Sequence, residues 1–431
     1  MRYKMNRIIK PQITPLSGDI EVGPDKSISH RAVILSALAE GTGTIKNCLL
    51  AADTLSTMGC MQKLGIRLEQ QKNEIIIQGQ GIQGFKPSDT VLECGNSGTT
   101  MRLMAGLLAG QNFTCTLSGD DSLNRRPMQR VIEPLSRMGA KIRGESSHPP
   151  LTIEGGNLKG ITYELPVASA QVKSALLLAG LNAAGSTIIM EPVKSRDHSE
   201  RMLGSMGAAI ELGNDGITLK PGPELKPVDW VVPGDISSAA FFMVAASLIP
   251  GSCLRIRNVG LNPTRSGIIT VLKNMNGHIE VENQHSNGGE PVGDIIISHA
   301  QLQGTTVEGD IIPLLVDEIP VLAVAMALAD GPSVVKNARE LRFKETDRIA
   351  AISSQLSALG VDLEEFEDGF VINGRPDSLP GGIVDSLGDH RMAMSLAVAG
   401  LCGHKETTIK NAEAVNISFP EFWDILREVT S

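Results

Sequence analysis

The sequence has 431 residues, roughly two to three times the commonest domain size, which predicts two domains. Hydrophobic residues make up 42% of the chain and charged residues 20%, so it should be a globular protein, and wholesale disorder is excluded. The 39 basic and 48 acidic side chains give a net charge of −9, so we expect neither nucleic acid nor a membrane surface as a partner.

The chain shows no pattern typical of membrane insertion, secretion or metal binding. Its longest apolar runs, 239–250 and 319–329, fall short of the roughly 18 to 20 residues that span a bilayer. Residues 1–12 are basic with no apolar stretch behind them, so no secretory leader is expected. The six cysteines are scattered without zinc spacing, and no dinucleotide fingerprint occurs. We therefore expect a cytoplasmic protein with reduced cysteines, no metal and no organic cofactor.

A short tag recurs along the chain, in which glycine stands between two apolar residues at the end of an amphipathic stretch; the fourth tag is one residue longer, with Asn276 before its glycine. Its near-equal spacing of 68 to 83 residues indicates an internal repeat, with the glycines at Gly65, Gly139, Gly207, Gly277 and Gly360. Each tag is predicted to end a helix, because glycine takes the left-handed conformation after a helix without a Cβ penalty.

Each tag closes a longer unit of similar pattern, which predicts six repeats. A first helix rich in small residues is followed by a β-type run, a second helix that ends at the tag, and alternating segments typical of strands. The first helices are predicted over residues 27–40, 98–109, 171–183, 237–248, 319–329 and 391–401.

The chain ends suggest how the repeats divide into domains. The sixth repeat stops inside its second helix, 421–429, whereas strand-like residues 12–22 precede the first repeat. We interpret this N-terminal strand as the missing part of repeat six, which places both chain ends in one domain. Three repeats per domain then predict one domain over 24–234 and a discontinuous domain formed by 1–23 and 235–431.

Polar residues collect at the predicted starts of these helices. Free backbone N–H groups there favour anions, and lysine and arginine side chains stand among them. Ser27 is predicted to cap the first helix, with Lys26 and Arg31 beside it, while Lys344 and Arg348 are predicted to share one helical face. If the helix starts of both domains converge, they form a cleft for phosphorylated or carboxylated small molecules.

Two acids lie among these cations. Asp317 and Glu345 are candidates for proton transfer, although helix capping would explain them equally well. A non-catalytic α/β repeat scaffold remains an alternative at this point, as does a surface lattice of ion pairs for residues 342–348.

Six motifs in chain order resemble the enolpyruvyl transferase family, specifically its 5-enolpyruvylshikimate-3-phosphate synthases. They are Lys-Ser-Ile-Ser-His-Arg at 26–31, Gly-Asn-Ser-Gly-Thr-Thr-Met-Arg at 95–102, Arg-Pro-Met-Gln-Arg at 126–130, Ser-Ala-Gln at 169–171, Lys-Glu-Thr-Asp-Arg at 344–348 and Asp-His-Arg-Met-Ala-Met at 389–394. The resemblance covers essentially the whole chain. It implies a two-domain inside-out α/β barrel with six repeated βαβαββ-like units, three per domain.

The resemblance also implies a reaction between shikimate 3-phosphate and phosphoenolpyruvate that needs no cofactor and is carried out by a monomer. Shikimate 3-phosphate would be bound by Lys26, Ser27, Arg31, Ser169, Gln171, Ser195, Asp317 and Lys344. Phosphoenolpyruvate would be bound by Lys26, Asn96, Gly98, Arg126, Arg348 and Arg391. Asp317 would take the proton of the 5-hydroxyl group, while Glu345 and Lys26 would handle protons at C3.

The chain departs from the family pattern in places, and a related activity stays open. Ile417 stands where many relatives carry a lysine, so one cation for phosphoenolpyruvate is either missing or supplied by Lys405 or Lys410. Ala170 stands where some relatives carry a second serine. UDP-N-acetylglucosamine enolpyruvyl transferase has the same fold but uses a reactive cysteine in a loop. Cys115 here lies in an alternating, strand-like segment, which makes this alternative the weaker one.

Overall fold

The computed structural model describes residues 5–71, 74–213, 216–222, 224–377 and 379–431. They form two compact units. Unit N comprises Pro24–Val232 and Ser286–Glu290, and unit C comprises Met1–Gly23, Pro233–His285 and Pro291–Ser431. The chain begins with two strands of unit C, β1 (Arg7–Ile9) and β2 (Ser17–Glu21).

Unit N alternates helices with short strands. Its helices are α1 (Lys26–Leu38), α2 (Ala52–Lys63), α3 (Gly98–Ala109), α4 (Asp121–Asn124), α5 (Gln129–Met138), α6 (Ala170–Gly180) and α7 (His198–Ser205). Its strands are β3 (Glu40–Lys46), β4 (Arg67–Gln71), β5 (Glu74–Gln80), β6 (Leu92–Glu93), β7 (Thr114–Ser118), β8 (Lys141–Glu145), β9 (His148–Glu154), β10 (Leu158–Lys159), β11 (Thr162–Glu164), β12 (Ala183–Ala184), β13 (Thr187–Met190), β14 (Ile210–Leu212), β15 (Ile217–Leu219) and β16 (Trp230–Val231).

Unit C also alternates helices with strands. Its helices are α8 (Ile236–Leu248), α9 (Gly267–Asn274), α10 (Ile312–Leu315), α11 (Ile319–Ala327), α12 (Arg348–Ala358), α13 (His390–Leu401) and α14 (Phe422–Val429). Its further strands are β17 (Cys253–Gly260), β18 (His278–Asn287), β19 (Glu290–Ser298), β20 (Thr306–Val307), β21 (Gly331–Val335), β22 (Leu363–Phe366), β23 (Gly369–Gly374), β24 (Gly382–Asp385) and β25 (Thr407–Lys410). The turn of the β18–β19 hairpin is the segment that groups with unit N.

One strand order recurs in the four-stranded sheets. The sheets of unit N run β16-β3-β5-β4, β6-β7-β9-β8 and β11-β13-β15-β14, and those of unit C run β2-β17-β19-β18 and β20-β21-β23-β22. The first pair of each sheet is parallel and the next pair is antiparallel. The two strands of the antiparallel pair are not consecutive in the chain: at least one helix and the fourth strand of the sheet lie between them, as α2 and β4 lie between β3 and β5.

The prediction for the N-terminal strand named the wrong residues. The segment 12–22 was expected to complete the sixth repeat, but its strand, β2, pairs in parallel with β17. The earlier strand β1 instead pairs antiparallel with β25, and β25 pairs in parallel with β24. The two short N-terminal strands therefore belong to two different sheets of unit C.

The glycine tags end helices as predicted, with one variation. Positive φ angles of 81° to 111° place four of the tag glycines in the left-handed region, namely Gly65, Gly139, Gly207 and Gly360. In the fourth tag the left-handed residue is Asn276, with φ of 70°, and Gly277 follows it. Asparagine tolerates this conformation because its short polar side chain bonds locally.

The core of each unit surrounds helices that carry few exposed side chains. In unit C every residue of α11 and α13 is buried, and α8, α11 and α13 pack pairwise. A helix that is apolar all round has to be covered on every side. Among the described residues, no helix combines the length and apolarity needed to cross a membrane.

Candidate active site

Side chains at the start of five buried helices accept hydrogen bonds from free backbone N–H groups of the first turn. Asp25 caps α1, Ser97 caps α3 and Ser169 caps α6 in unit N. Asp235 caps α8 and Asp389 caps α13 in unit C. These positions collect polar groups because the first turn of a helix leaves its donors without intrahelical partners.

Ser27 is not the cap of α1, which corrects the sequence prediction. Asp25 Oδ1 accepts from Ile28 N at 2.8 Å, so the cap lies two residues earlier than predicted and Ser27 lies inside the first turn of α1. An aspartate at this position adds a negative charge that the helix dipole favours. The Ser27 carbonyl oxygen accepts a bond from Arg31 Nη1 at 2.9 Å, which ties the two predicted ligands together.

Arg31 is buried among neutral oxygens. Besides Ser27, it donates from Nε to Ser199 Oγ and from Nη2 to Ser174 Oγ, both at 2.8 Å. Burial lowers the pKa of Arg31 to about 10, against the opposing charges of Glu200 and Asp25. The guanidinium is still protonated at neutral pH, and hydroxyl partners leave its charge available to an anion.

Lys26 forms an ion pair that the sequence analysis did not anticipate. Its Nζ lies 3.2 Å from Asp53 Oδ2, and the two side chains are 19% and 10% exposed. Asp53 stands in the first turn of α2, where an acid complements the helix dipole.

Three predicted phosphoenolpyruvate residues of unit N, Asn96, Gly98 and Arg126, lie close together. Arg126 Nη2 donates to Asn96 Oδ1 at 2.8 Å, and Asn96 Nδ2 donates to both Asp120 oxygens at 2.9 and 3.0 Å. Because the amide donates to Asp120, its oxygen must face Arg126. A Cβ on Gly98 would lie 2.7 Å from Arg102 Nη1 and 3.5 Å from Arg126 Nη1. Gly98 therefore leaves room between two arginine side chains.

Gln171 is held by residues of the neighbouring helix. Its Oε1 accepts from Arg102 Nη1 at 2.6 Å, and its Nε2 donates to Thr99 Oγ1 at 2.9 Å. Arg102 lies in one of the family motifs, but the sequence analysis did not count it as a site residue. Its contacts with both Gln171 and the Gly98 loop join the two predicted substrate groups of unit N.

Ser195 is engaged with a carboxylate. Its Oγ donates to Glu191 Oε1 at 2.5 Å, and Glu191 Oε2 lies 2.8 Å from Lys173 Nζ. Lys173 is 1% exposed and also pairs with Glu200 at 2.6 Å. Burial raises the pKa of Glu200, while the charge of Lys173 opposes that rise. A buried lysine and two acids thus hold the loop that carries Ser195 in place.

Arg348 is the centre of the cluster in unit C. Its side chain is 1% exposed and donates from Nε to Asp389 at 2.8 Å, from Nη1 to Asp317 at 3.1 Å and from Nη2 to Glu345 at 2.7 Å. Burial acts to lower the pKa of Arg348, but the charges of these three acids outweigh it and raise the pKa above its ordinary value. Arg348 is a permanent cation.

Arg391 approaches Asp317 from the start of α13. Its Nη1 donates to the Asp317 carbonyl oxygen at 3.2 Å, and its Nη2 lies 3.5 Å from Asp317 Oδ2. The structure of unit C thus brings together the predicted residues Asp317, Glu345, Arg348 and Arg391. Asp317 stands between two arginines.

Lys344 does not share a helical face with Arg348, and that prediction was wrong. It follows a 3₁₀ turn, Arg339–Phe343, and α12 begins only at Arg348, behind its cap Asp347. Lys344 Nζ lies 3.4 Å from Glu340 Oε1. The helix starts late because the Asp347 side chain accepts from Ala350 N and so fixes the boundary.

The cysteine that bears on the alternative activity lies in a strand rather than at a helix start. Cys115 is buried on β7, and burial raises the pKa of its thiol. A buried neutral thiol is a poor nucleophile. Within the part of the chain that the structure describes, no group of three or more histidine, cysteine or acidic residues could hold a metal ion.

A family model described as EPSP synthase (3-phosphoshikimate 1-carboxyvinyltransferase) matches residues 10–426. The chain belongs to the EPSP synthase family. It is 59% identical over 427 residues to the 3-phosphoshikimate 1-carboxyvinyltransferase of Syntrophomonas wolfei subsp. wolfei, covering 99% of this chain and 100% of that protein. The corresponding protein of Thermodesulfovibrio yellowstonii is 53% identical, covering 98% of this chain and 99% of its own.

Solved structures of EPSP synthases have the same fold. The EPSP synthase of Acinetobacter baumannii matches with a TM-score of 0.89 and 42% identity, over 99% of this chain and 98% of that one. The enolpyruvyl transferase NikO of Streptomyces tendae matches with a TM-score of 0.80 at 17% identity, which bears on the fold alone. The resemblance read from the motifs is confirmed, and so is a mixed α/β fold of this family.

Residues that the sequence analysis missed are chiefly acids that bind predicted site residues or the lysine that supports one. Asp53, Asp120, Glu191 and Asp389 each bind a predicted ligand or the lysine beneath one. Asp389 immediately precedes His390 and Arg391, so an acid just ahead of a helix could have indicated a cap. The partners of Asp120 and Glu191 depend on packing between elements that are distant in sequence.

Proposed function

We propose that the chain transfers the enolpyruvyl group of phosphoenolpyruvate to the 5-hydroxyl group of shikimate 3-phosphate and releases inorganic phosphate. One observation carries the proposal: Asp317 stands between Arg348 and Arg391 in a chain that is 59% identical to a 3-phosphoshikimate 1-carboxyvinyltransferase. An acid beside two fixed cations suits a reaction in which a hydroxyl group loses a proton next to a bound anion.

Phosphoenolpyruvate carries a carboxylate and a phosphate, and the proposed ligands match both groups. Arg348 and Arg391 of unit C and Arg126 of unit N supply guanidinium groups, which bind such anions through two parallel hydrogen bonds. Asn96, Gly98 and Lys26 complete the set. The space above Gly98 lets an anion approach the backbone N–H groups at the start of α3.

Shikimate 3-phosphate carries a phosphate, a carboxylate and two hydroxyl groups. Arg31, Lys26 and Lys344 supply its cations, whereas Ser27, Ser169 and Gln171 supply neutral hydrogen-bond partners. Ser195 donates its hydroxyl proton to Glu191, so in this arrangement it offers a substrate only lone pairs. Binding a phosphate oxygen would require the Ser195 hydroxyl group to turn away from Glu191.

The reaction proceeds by addition and elimination. Asp317 takes the proton of the 5-hydroxyl group, the hydroxyl oxygen bonds to C2 of the enol, and C3 gains a proton from Glu345 or Lys26. The resulting tetrahedral intermediate then returns a proton from C3 to Glu345 or Lys26 while its C2–O bond to phosphate breaks, which releases inorganic phosphate and leaves the enol ether. The arginines stabilise the negative charge on the departing phosphate, and a dry site protects the intermediate from hydrolysis.

The finer architecture belongs to the same proposal. We infer the inside-out α/β barrel with six repeated units, three in the domain 24–234 and three in the domain formed by 1–23 and 235–431. The recurring strand order of the sheets supports this division. The enzyme is proposed to act as a cytoplasmic monomer, without metal or organic cofactor.

Phosphate release distinguishes this function from the related one. Purified protein is incubated with phosphoenolpyruvate and either shikimate 3-phosphate or UDP-N-acetylglucosamine as acceptor. Phosphate release is expected when shikimate 3-phosphate is the acceptor and not when UDP-N-acetylglucosamine is. The reverse result would overturn the proposal.

A variant of Cys115 gives a second test. Cys115→Ser should leave turnover within a few-fold, whereas a loss of about a thousandfold in folded protein would indicate the cysteine-dependent reaction.

A further inference from the structure

A second buried arginine lies close to the Asp317 cluster in unit C. Arg265 precedes α9 and is 2% exposed, and it ranks with Arg348 among the largest fully buried side chains. No motif of the sequence analysis included it. Each of the two arginines binds the capping aspartate of a core helix, Arg265 that of α8 and Arg348 that of α13.

One nitrogen of Arg265 makes a chain of contacts that leads back to the site. Its Nη2 donates to Asp235 Oδ1 at 3.0 Å and to Ser237 Oγ at 2.6 Å. The Ser237 hydroxyl group in turn donates to Glu318 Oε1. Because a hydroxyl group has a single proton, the bond it accepts from Arg265 leaves that proton directed at Glu318.

Glu318 has an unusual position for a helix start. It occupies the N-cap position of α11, yet its side chain makes no capping bond to the helix and is 0% exposed. Its Oε1 lies 4.0 Å from Arg265 Nη2 and 3.9 Å from Arg391 Nη1. Glu318 thus stands between a cation outside the proposed site and a cation within it.

The two arginines share the negative charge of Glu318. A buried carboxylate is costly unless cations and hydrogen bonds compensate it. With Arg265 in place, part of the negative charge of Glu318 is compensated by a cation outside the proposed site, and Arg391 can remain beside Asp317. Without Arg265, only Arg391 of the two arginines remains beside Glu318. Glu318 then competes with phosphoenolpyruvate for the guanidinium group of Arg391.

We propose that Arg265 is a positioning residue, which compensates Glu318 through Ser237 and so keeps Arg391 available to phosphoenolpyruvate. The inference rests on the proposed function, since Arg391 is the group through which it acts. It assigns to Glu318 a role in tuning Arg391 rather than in proton transfer. A purely structural arginine would instead affect both substrates and the stability of the fold alike.

The test measures steady-state phosphate release for Arg265→Met, Glu318→Gln and the double variant. Arg265→Met should raise the KM for phosphoenolpyruvate by about tenfold or more while changing the KM for shikimate 3-phosphate by less than about threefold. In the double variant, removing the charge of Glu318 should bring the KM for phosphoenolpyruvate back to within about threefold of the wild type. Arg257→Met, which removes an exposed arginine of β17, is the matched control and should change neither constant.

The outcomes separate two failures. If wild-type protein releases no phosphate with shikimate 3-phosphate, the proposed function is wrong. If it does, but Arg265→Met leaves the KM for phosphoenolpyruvate unchanged, raises both constants equally or is not rescued by Glu318→Gln, the positioning role is wrong. Should Arg265→Met not fold, Arg265→Lys replaces it: its shorter side chain withdraws the charge from Glu318, so a smaller rise is expected, again reversed by Glu318→Gln.

Discussion

Arg348 and Asp317 are directly hydrogen-bonded, with Nη1 and Oδ1 3.1 Å apart. Arg348 is proposed to bind phosphoenolpyruvate and Asp317 is the proposed base, so the two roles belong to residues that bind each other. An arriving substrate anion has to share the guanidinium group with Asp317. Binding of one substrate and the proton transfer of the other thus depend on the same contact.

The acids of this cluster should matter for turnover more than for binding. Asp317→Asn and Glu345→Gln are each expected to lower kcat by about 10²–10⁴-fold, because general acids and bases act in the transition state. Steady-state kinetics on both substrates measures the effect. Glu364→Gln, at an exposed position on β22, is the control. Near-normal kcat in either variant would remove that residue from the acid–base assignment.

Gly98 should be intolerant of even a methyl group. Gly98→Ala places a Cβ 2.7 Å from Arg102 Nη1, so Arg102 has to shift and Arg126 becomes crowded. We expect a higher KM for phosphoenolpyruvate, with little change in the unfolding temperature. Gly59→Ala is the matched control, since a Cβ there meets no atom within 4 Å and α2 favours alanine. Equal kinetics for the two variants would contradict the proposed role of Gly98.

The buried lysine of unit N should be essential for stability. Lys173→Met leaves Glu191 and Glu200 without their shared cation, and breaking a buried ion pair in this way costs about 3–5 kcal/mol. A fall of several degrees in the thermal unfolding midpoint is expected. Lys141→Met removes an exposed partner of Glu154 and should leave the midpoint nearly unchanged. If both variants unfold alike, the Lys173 cluster does not support the loop of Ser195.

Unit N should lose stability in mild acid through His30. Burial lowers the pKa of His30 well below its ordinary value, and the charges of Lys26 and Arg31 lower it further. The folded state therefore stays unprotonated, while the unfolded state gains a proton below about pH 6.5. Stability should fall from that pH downward, by up to about 1.4 kcal/mol per pH unit, until the folded pKa is reached.

His30→Asn keeps a polar partner for Thr57 Oγ1, which lies 2.7 Å from His30 Nδ1, and has no ring to titrate. Its unfolding midpoint should depend less on pH than that of the wild type between pH 7 and pH 5. His285→Asn, at an exposed position, should behave like the wild type. Parallel pH profiles for His30→Asn and the wild type would show that His30 is not responsible.

Local patterns in the sequence predicted elements more reliably than partners. The tag glycines ended helices because the left-handed conformation after a helix is a local demand, which Asn276 meets equally well in the fourth tag. The start of α1 was misplaced because Asp25 and Ser27 are both good caps and only packing selects between them. The pairing of β1 and β2 could not be derived, since both are short strands whose partners lie far away in sequence.

In the site, too, the sequence predicted individual residues better than it predicted their partners. Its cations were found through motifs at helix starts, whereas the acids that orient them were mostly missed. Arg348 and Asp389 belong to different repeats, and Arg126 and Asn96 lie 30 residues apart within one repeat, so spacing along the chain reveals neither contact. Lys344 was misplaced because a helical period was extended across residues that the Asp347 cap excludes from α12.

The pairing of β2 with β17 has a consequence during synthesis. Leu16 N donates to Ser252 Oγ across 236 residues, so at about 5–20 residues per second β2 leaves the ribosome ten seconds or more before its partner. The main segment of unit N, Pro24–Val232, is made in the interval. A strand that waits so long with its backbone unpaired risks joining a foreign sheet edge. Its sequence, Ser-Gly-Asp-Ile-Glu, buries only Ile20, and its two acids discourage such pairing until Cys253–Gly260 emerges.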